Sequence, residues 1–206
     1  MRSCACDSPV LNSSKVYTVG KSPTTQDSLA NIEVRKATLR DIPVLLHLIN
    51  SYAAKGIMLP RTEHDLSENI GDFTVAYQGT QLLGCGALHI YNPVSGEVRS
   101  LAVDPARKRR GVGILLVRAL EQEAINNQLS AIFAFTYVPD FFSKLGFDQV
   151  DRTLLPLKVW KDCYRCPKFQ CCDEIAVLKA LRPDTVSALS LNSGSELVQL
   201  PSPRRA

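Results

Sequence analysis

The chain has 206 residues, 45% hydrophobic and 21% charged, with a formal net charge of +4. That length is enough for one domain with a full core, and the composition is that of a soluble globular protein. No apolar run approaches the roughly 20 residues that span a bilayer, and the basic residues are not spread over several elements as a nucleic-acid-binding face requires. The expected partners therefore include neither a membrane nor a nucleic acid. The first residues, Met1-Arg-Ser-Cys-Ala-Cys-Asp7, lack the apolar core of a secretory signal, so the expected location is the cytoplasm. There are 7 cysteines. An odd number in a reducing compartment argues against a disulfide framework.

Residues 1–31 are rich in Ser, Thr and Pro and show no periodicity, which reads as a disordered leader. A similar tail is expected over 182–206. Between them residues 32–181 form one domain, with no internal repeat. Ile32 to Ala37 alternates and reads as a strand. Thr38 is a plausible helix N-cap, and Ile42, Leu45, Leu46 and Ile49 recur at helical spacing, so a helix covers 40–54 and ends at Gly56. Thr62 to Ile70 is a short second helix. Phe73–Tyr77 and Leu82–Tyr91 read as a β-hairpin. After the turn Asn92–Gly96, Glu97–Val103 is a strand, 112–127 an amphipathic helix and Ala131–Thr136 a buried strand. Pro139–Lys144 is a short helix, Phe147–Val150 a strand start and Glu174–Ala180 the last strand. The order β-α-α-β-β-β-α-β-α-β-β predicts an α+β domain with a mixed, mostly antiparallel sheet flanked by helices.

The most informative segment is Asp104-Pro-Ala-Arg-Lys-Arg-Arg-Gly-Val-Gly113. It joins a strand to a helix through a basic, glycine-containing turn. Glycines let the backbone approach a ligand with amide N–H groups pointing at its oxygens. The helix N-terminus adds roughly half a positive charge. Arg107, Lys108, Arg109 and Arg110 add charge-assisted hydrogen bonds. The pattern fits a pyrophosphate.

A strand ending Leu-Ala-Val-Asp-Pro, a basic turn with Gly111-Val-Gly113, a helix, and then Phe141-Phe-Ser-Lys-Leu-Gly-Phe147 resemble the GNAT acetyltransferase superfamily. Ala53–Arg61, Glu97–Val103, Phe141–Phe147 and the cysteine-containing segment 155–174 look like a narrower group. These are the short, stand-alone amino-acid N-acetyltransferases of bacterial arginine biosynthesis, the N-acetylglutamate synthases. The resemblance implies a GNAT fold and transfer of acetyl from acetyl-CoA to the α-amine of L-glutamate. Lys108, Arg109, Arg110, Gly111, Val112 and Gly113 would hold the diphosphate, with lysine where the superfamily has Gln or Arg. Backbone groups of Leu101, Ala102 and Val103 would meet the pantetheine arm, in a gap where this strand splays from 131–136.

The resemblance further implies that Glu97 is the general base, direct or through a water, and that Arg99 with Arg61 or Lys55 binds the substrate carboxylates. Phe142 stands where many superfamily members carry an acidic tyrosine, and Tyr137 reads as a core or rim aromatic. Cys163, Cys166 and Cys172 match the narrower group. A metal such as zinc, completed by Cys85 or His89, ordinary thiols and a redox switch all remain open. His47 and His64 read as helix-surface residues. An acceptor other than glutamate, a non-catalytic acetyl-CoA or redox sensor, and a homodimer stay open as well.

Overall fold

The computed structural model describes residues 31–108, 110–155, 166, 168 and 171–182. The leader and the tail expected from composition thus lie, apart from Asn31 and Arg182, outside the described residues, as do Arg109 and Cys163. The elements are β1 (Ile32–Lys36), α1 (Ile42–Ala53), α2 (Glu63–Glu68), β2 (Phe73–Gln78), β3 (Gln81–Ile90), β4 (Ser95–Val103), α3 (Val112–Asn126), β5 (Ala131–Thr136), α4 (Pro139–Ser143), β6 (Asp148–Gln149) and β7 (Ile175–Ala180). Their order is the one read from the sequence. The sheet runs β1-β2-β3-β4-β5-β7-β6. Every pairing is antiparallel except β4 with β5.

Alternation along the strands gives the sheet two apolar faces. On one, Leu45, Ile49 and Tyr52 of α1 and Leu66 of α2 pack with Phe73, Val75, Cys85 and Ala87. On the other, Val117, Leu120 and Ala124 of α3 and Phe142 of α4 pack with Leu88, Val98, Ile132 and Ala134. Helical spacing of the buried α1 positions Ile42, Leu45, Ile49 and Tyr52 produces the first contact. Each fully buried Leu or Ile contributes on the order of 1.5–3 kcal/mol through burial.

The start of α1 is fastened electrostatically. Asp41 is buried; its carboxylate accepts two 2.9 Å bonds from Arg35, one of 2.8 Å from the Tyr77 hydroxyl and one of 2.7 Å from the Thr38 amide. Arg35 above all holds this carboxyl well below the usual carboxylate range. Thr38 thus opens a short 3₁₀ turn, Leu39–Asp41, and α1 follows it.

Two local features shape β4. The Asn92 side chain accepts from the Val94 and Ser95 amides at 2.8 Å each, so the turn is tight and β4 begins at Ser95, two residues before the expected start. Further on, Cys85 pairs with Ala102 and Ala87 with Arg99, leaving Ser100 and Leu101 opposite Gly86 alone. This is a β-bulge, with Ser100 at φ 52°. A bulge bends its strand and increases local twist. Pairing of β4 with β5 is confined to Ser95–Glu97 against Ala131–Phe133. Beyond that the two parallel strands part, as the sequence reading expected.

Candidate active site

The parting of β4 from β5 opens a cavity of about 380 Å³. Among the described residues, beside Ala53 and Phe142, its lining falls on four sides. Glu97 to Leu101 line it from β4, and Phe135 to Val138 from the end of β5. The loop Gly56–Arg61 closes a third side, and Arg152, Cys166, Lys168, Cys172 and Glu174 form the fourth.

Glu97 and Arg99 share a strand face, as period-two alternation requires, and both reach the cavity. The Tyr91 hydroxyl donates to Glu97 Oε2 at 2.9 Å. The Arg99 side chain is 10% exposed, with a guanidinium nitrogen 3.5 Å from Asp72 Oδ2. The same oxygen lies 2.7 Å from His89 Nδ1. Arg61 is presented by its backbone: its amide donates to Asn50 Oδ1 and its carbonyl accepts from Asn50 Nδ2, both at 2.9 Å. The Nε atoms of Arg61 and Arg99 are both buried. Lys55 behaves differently. It is exposed, lies 5.7 Å from the Tyr52 ring centre, and is not among the cavity-lining residues.

Two cations of the fourth wall, Arg152 and Lys168, were missed in the sequence. Arg152 donates to the Glu174 carbonyl at 2.7 Å and to Cys172 Sγ at 3.7 Å. Lys168 donates to the Tyr137 hydroxyl at 3.0 Å, and that hydroxyl donates to Asp173 Oδ1 at 2.9 Å. Tyr137 is thus a rim residue, its hydroxyl pushed up mainly by burial. Burial likewise raises the Glu174 carboxyl. No pattern local to Asp151-Arg-Thr153 marks Arg152 as a site residue.

At the other end of β4 the backbone does the work. Gly111 caps α3 at φ 82°, a left-handed conformation costly for an L side chain. Among the described residues no side chain caps the helix start, so its first amides are available to an anion. Lys108 and Arg110 are exposed beside it, and Lys108 Nζ lies 5.1 Å from the Tyr52 ring centre. Gly113 serves packing: a Cβ there would stand 3.3 Å from the Phe141 ring. Val103 offers its carbonyl to the Tyr52 hydroxyl at 2.5 Å. Phe142 is core, edge-on to Phe141 and Phe147 with ring centres 5.2 and 5.1 Å away.

The cysteines do not come together as a described metal site. Cys85 is wholly buried, its Sγ 3.7 Å from the Ser100 carbonyl, and burial pushes its thiol up to about 12. It is therefore a core residue. His89 is engaged by Asp72. Cys166 and Cys172 line the cavity, but Cys163 lies outside the described residues. Among the described residues no group of three His, Cys, Asp or Glu side chains could hold a metal ion. His47 and His64 are exposed on α1 and α2.

The profile of the Acetyltransferase (GNAT) family matches residues 43–147. The chain belongs to the GNAT acetyltransferase family. An uncharacterized N-acetyltransferase of Chlorobaculum tepidum is 37% identical over 148 residues, 72% of this chain and 96% of that one. The amino-acid acetyltransferase of Mycobacterium tuberculosis is 35% identical over 135 residues, 64% of this chain and 77% of that one. The structure of N-acetylglutamate synthase from Neisseria gonorrhoeae, complexed with coenzyme A and N-acetyl-glutamate, matches with a TM-score of 0.68 at 28% identity. That match covers 74% of this chain and 36% of the Neisseria chain. The family's donor is acetyl-CoA, and this acetyltransferase has a fitting place for it. The uncapped α3 start, the left-handed Gly111 and the adjacent cations suit the diphosphate, and the gap between β4 and β5 suits the arm.

Proposed function

We propose that this acetyltransferase acetylates the α-amine of L-glutamate and that its product feeds arginine biosynthesis in the cytoplasm. The observation that carries the reading is the grouping of Arg61, Arg99 and Arg152 around the cavity that also holds Glu97. Three guanidinium groups suit an acceptor with two carboxylates, since each can bind one bidentately. The names of similar proteins, amino-acid acetyltransferase and N-acetylglutamate synthase, support the same acceptor class. Among the described residues no helix is long and apolar enough to cross a membrane.

Bound acetyl-CoA supplies a thioester whose carbonyl carbon is the electrophile. The acceptor amine must be neutral to attack it, and an α-ammonium has a pKa on the order of 8. Glu97 takes that proton, directly or through a water. The C–N bond forms, the C–S bond breaks and the CoA thiolate leaves. Transfer is direct, with donor and acceptor bound together. The CoA thiolate resembles a cysteine thiolate, with a pKa near ~8.5, so an acid in place of Phe142 is dispensable. Leu101, Ala102 and Val103 hold the arm by backbone groups, and Lys108 and Arg110 attract the diphosphate.

Glu174, beside Arg152 in the cavity wall, favours as second reading an acceptor with its own cation, such as a polyamine. Thiol release from acetyl-CoA with a panel of amino acids and amines decides between them. Turnover fastest with glutamate is expected. Turnover with another amine and none with glutamate overturns the assignment, and CoA binding without any turnover points to a sensor.

A further inference from the structure

Glu97 sits at the last paired position of β4 and β5, opposite Phe133. A carboxylate at the opening of a gap has rotamers to choose from, yet a general base must meet its proton within hydrogen-bond reach. Tyr91, just past the end of β3, supplies a fixed contact. Its ring stacks on Phe133 with centres 5.9 Å apart and planes 28° from parallel. A second ring, His89, meets it at 4.8 Å and 87°. His89 is held in turn by Asp72 at 2.7 Å, and Asp72 neighbours Arg99. The Tyr91 hydroxyl therefore ends a run of mutually placed groups, 2.9 Å from Glu97 Oε2.

We propose that Tyr91 is a positioning residue for the base: its hydroxyl holds the Glu97 carboxylate in one orientation against the cavity. The inference rests on Glu97 being the base. A donor to the ionised carboxylate also favours that form, so the contact keeps the base ready to accept. Among the described residues, other charged or titratable groups facing this corner and its cavity include His89 across on β3, Arg99 on β4, Asp72 before β2, and Arg61, Arg152, Lys168, Cys166, Cys172 and Glu174 in the cavity walls. None of these changes in Tyr91→Phe, which removes one oxygen and keeps both ring contacts.

The test is steady-state kinetics of Tyr91→Phe, Glu97→Gln and the double variant, with the acceptor the panel turns over fastest, as a function of pH. For Tyr91→Phe, kcat should fall about tenfold with both KM values changed less than twofold, because no substrate contact is lost. The acid limb of its kcat/KM profile should move to higher pH, since the carboxylate has lost a donor. The double variant should be no slower than Glu97→Gln, because Tyr91 acts through that carboxylate. An unmoved acid limb in Tyr91→Phe, or strictly multiplicative losses in the double variant, overturns the positioning role while Glu97 stands as base. A wild-type pH profile in Glu97→Gln overturns the base itself, and the positioning role with it.

Discussion

In the proposed reaction the two halves of β4 would do different jobs by different means. The first half, Ser95 to Arg99, is paired on both sides at Gly96 and Glu97 and presents side chains. The second half, from the bulge at Ser100 and Leu101 to the turn after Val103, is paired with β3 alone and presents backbone. The proposed donor end would thus depend on φ angles and unspent amides, which almost any side chain tolerates except where a left-handed residue is needed. The proposed acceptor end would depend on particular carboxylate and guanidinium groups. Substitutions in the first half should change which amine reacts and how fast. Substitutions in the second should change how tightly the donor is held.

The largest test of that division is Glu97→Gln. Removing a general base typically costs about 10²–10⁴-fold, so a fall in kcat of at least about 10²-fold is expected, greatest at low pH, with the acetyl-CoA KM nearly unchanged. Arg152→Ala comes next. Losing one charge-assisted carboxylate bond of about 1.5–3 kcal/mol should raise the acceptor KM by about 10- to 100-fold, and titrations of acetyl-CoA should show no change. Gly111→Ala should do the reverse. Forcing an L side chain into the left-handed region costs about 1–2 kcal/mol, so the acetyl-CoA KM should rise by about 5- to 30-fold at constant acceptor KM. If Arg152→Ala weakens the donor or Gly111→Ala weakens the acceptor to a similar degree, the division of β4 fails.

That same division explains what could be read from the chain. The donor end is contiguous: strand, basic turn, Gly111 and helix follow one another, so periodicity and one glycine pair exposed it. The element order was legible for the same reason, because each element announces itself through spacing within a few residues. The acceptor end is assembled from segments far apart in sequence. Glu97 and Arg61 were legible only through resemblance, and Arg99 through the strand face it shares with Glu97. Arg152 carried no local signal, because it becomes a site residue only when β7 and the segment before it bring Glu174 alongside. Tyr91 was hidden similarly, its contact with Glu97 reaching across a turn, residues 91–94, that Asn92 makes one residue shorter than expected. Strand ends were misjudged where such turn bonding decides them.

A control lies outside both halves. Asp41 is buried under Arg35, Tyr77 and Thr38, so Asp41→Asn should lower stability by about 2 kcal/mol at neutral pH with both KM values intact. The folded carboxyl is held below its unfolded range near ~4, so its stabilisation is complete above that range and disappears as pH falls through the folded value. Denaturant unfolding of wild type and variant should therefore converge progressively through the acid range below about pH 4. A constant difference across that window would mean that the pair contributes through packing alone.

The smallest expected effect belongs to Lys55→Ala. Lys55 was a candidate for the second carboxylate because it lies in the loop that borders the acceptor site. Its exposure and its place against Tyr52 put it outside the cavity walls. An exposed cation of this kind contributes about 0–1 kcal/mol, so the acceptor KM should change by no more than about fivefold. That change should also shrink with added salt, because screening acts on exposed charges over about 10 Å at 0.1 M. A tenfold, salt-insensitive rise would mean that Lys55 turns into the cavity when the acceptor binds. The acceptor wall would then extend from β4 to the end of α1, beside the Tyr52 hydroxyl that holds Val103, and the two halves of β4 would no longer answer to separate ligands.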